Sequence, residues 1–251
     1  MLNIQALNAI GEVRPGDDLA ALLAAALRAA GADLQAFDIL VVTQKIVSKA
    51  EGRFVDLAGV APGAEARRLA EVTRKDPRLV ELVLAESSAV IRSVPHVLIT
   101  RHRSGHVMAN AGIDQSNIGS AGGDLALLLP VDADASARRL REALESLWPA
   151  GFGVLVSDSF GRPWRYGVTN VAIGASGFPA LIDRRGTRDR DGRVLEVTQV
   201  ALGDMAASAA GLVTGEGAEG VPAALIRGLS WDVTANPASA LIRPVTEDLF
   251  R

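Results

Sequence analysis

Val154-Leu155-Val156-Ser157-Asp158-Ser159-Phe160-Gly161-Arg162-Pro163-Trp164-Arg165-Tyr166-Gly167 passes from an apolar run into acid, hydroxyls, glycine and arginine. Val154–Val156 reads as a buried strand within 153–157 that ends on Asp158 and Ser159. The polar residues after it read as a turn. An α/β enzyme often uses such a strand end to present a metal to an anionic substrate. Taken alone, such a stretch is usually a polar turn with structural salt bridges, so its meaning depends on the rest of the chain.

Upstream, Asp17 and Asp18 sit where a helix N-terminus favours negative charge, and Leu19, Leu22, Leu23 and Leu27 share one face before Gly31. Asp38-Ile39-Leu40-Val41-Val42 reads as a strand leading into Thr43–Lys49. Residues 63–74 and 77–87 read as charged helices separated at Pro77. Val97–Thr100 and His106–Ala109 form an expected hairpin around Arg103-Ser104-Gly105. Leu125–Leu129 is a short apolar run, and 134–148 is an amphipathic helix carrying Leu140, Leu144 and Leu147. Further strands are expected at 171–175, 194–201 and 222–227, and helices at 203–213 and 237–249. The class is mixed α/β, because consecutive strands without intervening helices argue against a purely parallel sheet.

The 251 residues suffice for one large domain or two small ones sharing a core. With 49% hydrophobic and 22% charged residues, the chain has the composition of a soluble globular protein. A net charge of −3 gives no reason to expect nucleic acid or an anionic membrane as partner. Cysteine is absent, which excludes disulfides, thiolate metal sites and a Cys nucleophile. The N-terminal residues lack signal-peptide character and no apolar run approaches a membrane span, so a cytoplasmic location is expected.

Three other polar clusters accompany the opening stretch. Asn110-Ala111-Gly112-Ile113-Asp114-Gln115-Ser116-Asn117 follows a strand and can aim Asp114 and Asn117 at one ion or phosphate. It also reads as an Asx-rich turn. Gly215-Glu216-Gly217-Ala218-Glu219-Gly220 fits G-x-G-x-x-G by letter, yet a helix-like stretch precedes it and a strand-like one follows, the reverse of the dinucleotide fingerprint. Its carboxylates make sense beside phosphate if a cation lies between them, which makes Glu216 a candidate metal ligand. Lys45 and Lys49 follow the first strong strand and can hold phosphates, or simply form a charged turn. Asp158 with Asp114 supplies the one or two carboxylates that a phosphate-bridging Mg²⁺ or Mn²⁺ requires, and Arg162 and Arg165 can neutralise an anion. No P-loop sequence exists. His96, His102 and His106 have no strong zinc spacing, and Arg101-His102-Arg103 is expected to face solvent.

In order along nearly the whole chain, Gly16-Asp17-Asp18-Leu19, Ser48–Arg53, Asn110–Asp114 with Ser116-Asn117, Leu128-Leu129-Pro130, Ser157–Arg165 and Gly215-Glu216-Gly217 resemble the coenzyme F420-0:L-glutamate ligases. Each piece alone is weak, and the ordered set is specific. The resemblance implies a fold of two intertwined subdomains with mixed and antiparallel sheets, working as a homodimer. It implies that 1–251 is one gamma-glutamyl ligase domain, without the nitroreductase-like flavin domain that some bacterial relatives carry. Gly11-Glu12-Val13-Arg14 departs from the Pro-containing segment common in relatives.

The resemblance further implies metal ligation by Asp114, Asp158, Ser159 and Glu216, with two Mg²⁺ or Mn²⁺ ions and K⁺ as a further candidate. It implies GTP contacts from Gly11, Glu12, Val13, Arg14, Gln44, Lys45, Lys49, Asn117, Gly215, Glu216, Gly217 and Gly220. Asp114, Asp158, Arg162 and Arg165 are then the expected catalytic groups. The implied reaction joins the terminal carboxylate of F420-0 to the amine of L-glutamate through an acyl phosphate, with release of GDP and phosphate, and further glutamates can follow. A glutamyl ligase acting on another carboxylate, such as a folate-type acceptor, would need the same nucleotide and metal residues. A non-catalytic GTP-binding protein is the third reading.

Overall fold

A computed structural model describes residues 1–119 and 124–248. In chain order the elements are β1 (Asn3–Ala6), α1 (Leu19–Ala29), β2 (Ile39–Thr43), α2 (Gln44–Ala50), β3 (Phe54–Asp56), α3 (Ala64–Thr73), α4 (Pro77–Ala85), β4 (Ser87–Val94), β5 (Val97–His102), β6 (Val107–Ala109) and β7 (Leu125–Leu127). They continue with α5 (Ala133–Glu145), β8 (Gly153–Arg162), β9 (Arg165–Ser176), β10 (Ile182–Asp183), β11 (Gln199–Val200), α6 (Leu202–Thr214) and β12 (Ala223–Arg227).

The main sheet has the order β1-β12-β2-β8-β9. Only β2 and β8 run parallel, in the register Ile39↔Gly153 to Thr43↔Ser157; the other pairings are antiparallel. β2 is buried on both faces, which explains its unbroken apolar run. Leu40 and Val42 join Val154 and Val156 in a core with Leu19, Leu23 and Leu27 of α1 and Leu140 and Leu144 of α5. Ile39, Val41 and Leu155 face the other way, onto Ala206, Ala207 and Ala210 of α6. The alanines let that helix lie close to the sheet. Aspartates cap two of these helices: Asp18 accepts from the Ala21 N–H and Asp132 from the Ala135 N–H.

Between α2 and α5 the chain builds a second part around its own core, with Leu57, Leu69, Val80, Val83, Leu98, Ile113 and Ala126 buried together. Here α3 and α4 pack with the antiparallel pair β3-β7 and the three-stranded sheet β4-β5-β6. The chain then returns to the main sheet, so the two parts interleave in sequence. The mixed α/β class with mixed and antiparallel sheets is what the structure has.

Several local expectations are corrected. The strand after Val156 does not end at Ser159: it pairs with β9 as far as Arg162↔Arg165, and the turn is confined to Pro163-Trp164. Trp164 there takes φ 57°. Thr43–Lys49 is not a charged turn, since Gln44–Ala50 is helical with Gln44, Ser48 and Lys49 buried. The second charged helix stops at Ala85, and Ser87–Val94 pairs with β5 instead. In 194–201 only Gln199–Val200 is strand. The helix expected over 237–249 is replaced by two single turns, Ala238–Leu241 and Val245–Glu247, each entered from a proline; residue 249 lies outside the described residues. His102 does not face solvent: it is buried, and Ser104 Oγ lies 2.7 Å from its Nδ1 and 2.8 Å from Nδ1 of buried His106. No described helix is long and apolar enough to cross a membrane.

Candidate active site

The parallel strands β2 and β8 end on the same side of the sheet, and a cavity of about 770 Å³ opens there. Ligands of open α/β sheets commonly bind beyond the carboxyl ends of parallel strands. β2 runs straight into α2, so Gln44, Lys45 and Lys49 are delivered to the cavity wall within two turns of the strand. Asp158 and Ser159 reach it from β8, Gly11, Glu12 and Val13 from the segment before α1, and Asn117 from the loop after β6. Gly215, Glu216, Gly217 and Gly220 close it from the loop after α6. Asn117 Nδ2 donates to the Gly217 carbonyl at 3.1 Å and joins those two loops. A second cavity of about 330 Å³ beside His106 and Phe160 contains none of the expected metal ligands.

Asp114 stands behind Gln44 and Lys45. Its backbone bridges Leu127 in both directions, at 2.9 and 2.8 Å, which anchors the loop to β7. Gln44 Nε2 donates to Asp114 Oδ2 at 2.7 Å, and Lys45 Nζ lies 3.6 Å from Oδ1. Lys49, with only 7% of its side chain exposed, meets Glu12 Oε1 at 2.6 Å. Asn170 Nδ2 donates to Glu216 Oε1 at 2.7 Å. Glu219, to which the sequence assigned no role, folds back to accept from the Gly217 N–H at 2.7 Å and braces its own loop.

The electrostatics follow from this crowding. Burial, then the negative charge of Asp114 and more weakly that of Glu216, pushes the Asp158 carboxyl up to about 7, against the Ser159 N–H and Lys45. Burial also raises Asp114, with Lys45 and Gln44 opposing. A buried carboxyl that holds its proton towards neutrality, as Asp158 does beside Asp114, is a group a hard cation would relieve. The donor set of Asp114, Asp158, Ser159 and Glu216 is all oxygen, which suits Mg²⁺ or Mn²⁺. Among the described residues, no three His, Cys, Asp or Glu side chains form a ready-made ion cage. An ion held by these donors would have to take part of its shell from phosphate and water.

The fold thus gathers most of the residues expected from sequence. Arg14, Arg162 and Arg165 do not line the cavity, and Asp114 meets it only through Gln44 and Lys45. The Arg14 backbone N–H donates to Asp17 Oδ2 at 2.8 Å, which closes the turn before α1. Arg162 and Arg165 flank the tip of the exposed β8–β9 ribbon, where Arg162 Nη2 donates to the Tyr166 carbonyl at 3.0 Å. Sequence reasoning missed Asn170, which stands opposite Ser159 in the ladder and reaches Glu216. A lone Asn in a strand carries no signal of such a role.

A family model described as F420-0:Gamma-glutamyl ligase matches residues 8–228. The chain is 47% identical over 244 residues to a coenzyme F420:L-glutamate ligase of Methanopyrus kandleri, covering 96% of this chain and 94% of that protein. It is 44% identical over 241 residues to the protein of that name from Methanothermobacter thermautotrophicus, covering 95% and 94%. It is 43% identical over 253 residues to the one from Natronomonas pharaonis, covering 98% and 93%.

Proposed function

The chain belongs to the F420-0:gamma-glutamyl ligase family, and from that membership we propose that it joins the terminal carboxylate of coenzyme F420-0 to the amine of L-glutamate with hydrolysis of GTP. One observation carries this reading: Asp158, Glu216, Lys45 and Lys49 open on a single cavity, with Asp114 directly behind. Such a set of opposite charges suits a polyphosphate with counter-ions better than a neutral ligand.

In the proposed reaction a carboxylate oxygen of F420-0 attacks the γ-phosphorus of GTP, and the bond to the β-phosphate oxygen breaks to release GDP. The amine of L-glutamate then attacks the carbonyl carbon of the acyl phosphate. Phosphate leaves, and the amine loses a proton to solvent. Bound Mg²⁺ or Mn²⁺, held by Asp114, Asp158, Ser159 and Glu216, would supply neutralisation of phosphate charge. Lys45 and Lys49 sit where they can meet phosphate oxygens, each exchanging a carboxylate partner for the ligand. Gly215, Gly217 and Gly220, with no side chains, let their loop approach the nucleotide closely, and Gly11, Glu12 and Val13 face it across the cavity. Asn117 ties its own loop to Gly217. Arg162 and Arg165, paired at the tip of the ribbon beyond Asp158, would meet the anionic part of an acceptor extending out of the cavity. Positioning and charge neutralisation carry this chemistry, with no residue assigned as general base. The working form is proposed to be a cytoplasmic homodimer, with K⁺ as a further ion.

Mass spectrometry of products from F420-0, GTP, Mn²⁺ and L-glutamate tests the reading. The expected result is a gain of one or more glutamyl units on F420-0, with GDP and phosphate formed for each. An unchanged F420-0 mass, with a folate-type acceptor extended instead, would overturn the assignment of acceptor.

A further inference from the structure

The central strand of the site has a neighbour on each side, and each neighbour contributes one buried side-chain amide. Gln44 begins α2 at the end of β2 and is 1% exposed. Its amide orientation is fixed, because Ser48 Oγ donates to Oε1 at 2.9 Å and leaves the NH₂ group to face Asp114. Asn170, on β9, is 8% exposed. A carboxylate can only accept, so the NH₂ group of Asn170 must be the side facing Glu216. Its backbone carbonyl accepts from Ser208 Oγ of α6 at 2.8 Å. Gly211 of the same helix makes the room: a Cβ there would lie 2.5 Å from Asn170 Nδ2.

We propose that Gln44 and Asn170 are positioning residues, each holding one oxygen of a loop carboxylate with a neutral N–H so that the other oxygen can ligate the divalent ion. The inference rests on the metal reading given above. Neutral donors matter here. An ammonium or guanidinium in the same place would cancel the charge of the carboxylate and compete with the ion, whereas an amide restricts rotation and leaves the charge in place. Lys45, 3.6 Å from Asp114 Oδ1, is longer and partly exposed, and can move away when an ion or phosphate arrives. Asp114 and Glu216 lie on loops, so their aim depends on such partners, whereas Asp158 is held in the ladder by its pairing with Val171 of β9.

Full-length Gln44→Met and Asn170→Ala proteins, checked for folding by circular dichroism, are to be titrated with Mn²⁺ in the presence of GDP. Free Mn²⁺ is read by electron paramagnetic resonance. Removing a partner of this kind weakens metal affinity by about tenfold or more. Each variant is expected to show that loss, with a raised KM for Mn²⁺ and an unchanged KM for L-glutamate. A folded variant with lower thermal stability but Mn²⁺ affinity within about twofold of wild type reduces its amide to a loop tie and overturns the inference. If Asn170→Ala does not fold, Gln44→Met decides. Absence of Mn²⁺ binding by the wild-type chain would overturn the metal reading itself, and this inference with it.

Discussion

Asp158 shows most directly how the fold sets a chemical property. Its carboxyl is pushed from an ordinary 3.8 to about 7 by burial and by Asp114. Below 3.8 the folded and unfolded chains both hold the proton and nothing is lost. As pH rises from 3.8 through 7 the unfolded chain sheds the proton first, and the folded state loses stability relative to it. The metal-free protein is therefore expected to gain stability from this group as pH falls from 8 to 5. His106 works the other way. Burial lowers it from 6.5 to about 4, so its contribution is present above 6.5 and lost as pH falls towards 4. Denaturant midpoints of wild type and Asp158→Asn, compared at each pH, isolate the carboxyl: the difference between them is expected to shrink on acidification. A difference independent of pH would show that Asp158 does not titrate in that window. The same proton competes with a divalent ion, so Mn²⁺ affinity is expected to weaken as pH drops below about 7, and Asp158→Asn is expected to lose turnover. Asp114, Asp158 and Glu216 were legible in sequence because each follows an apolar run or stands in a glycine loop. The amides were not, because the partner of a single Gln or Asn is decided by tertiary contact.

Among the elements, the β8–β9 ribbon departs furthest from what its residues suggest. Past Ser157 the burial of β8 thins to alternate half-buried and exposed residues, and Gly161, Pro163 and Gly167 read as punctuation. The strand persists because its backbone remains paired with β9 out to Arg162. Burial pattern reports packing, and here the ladder outlasts the packing. α2 escaped notice for a related reason: its seven residues are too few to display a helical period. Pro237 and Pro244 break up the C-terminal stretch expected to be helical. Where packing is tight, it is unforgiving. Gly174 of β9 lies against the start of α5, and a Cβ there would run into the Ala133 carbonyl. Gly174→Ala is expected to destabilise the protein by about 1–3 kcal/mol, read as a lower denaturant midpoint. Gly59→Ala, with open space around it, is expected to stay within about 0.5 kcal/mol of wild type. Equal midpoints for the two would argue that α5 yields.

For the molecule as a whole, the site lies on the seam between separately cored parts. Asp114 follows Ile113 of the second core, Asp158 extends the main sheet, and Glu216 stands just beyond α6. A ligand that binds all three holds the parts together, and a ligand present at a hundredfold its Kd stabilises by about 2.7 kcal/mol. GTP with Mn²⁺ is expected to raise Tm, and Asp114→Asn is expected to lose most of that rise. An undiminished rise in the variant would place the bound ligand on one part alone.

The pairing of β2 with β8 also bears on how the chain reaches this state. The two strands are neighbours in the sheet, yet everything from α2 to α5 lies between them in sequence. Closing so long a loop is entropically unfavourable until the intervening chain is compact, and non-local parallel pairing is slow. The second part can collapse first on local contacts such as α3 against α4, bringing Ile39 and Gly153 within reach of one another. The strand that carries Asp158 would then be among the last to dock. On that order of events the carboxylates meet only in the closing step of folding, and an incompletely folded chain would have no site with which to consume nucleotide.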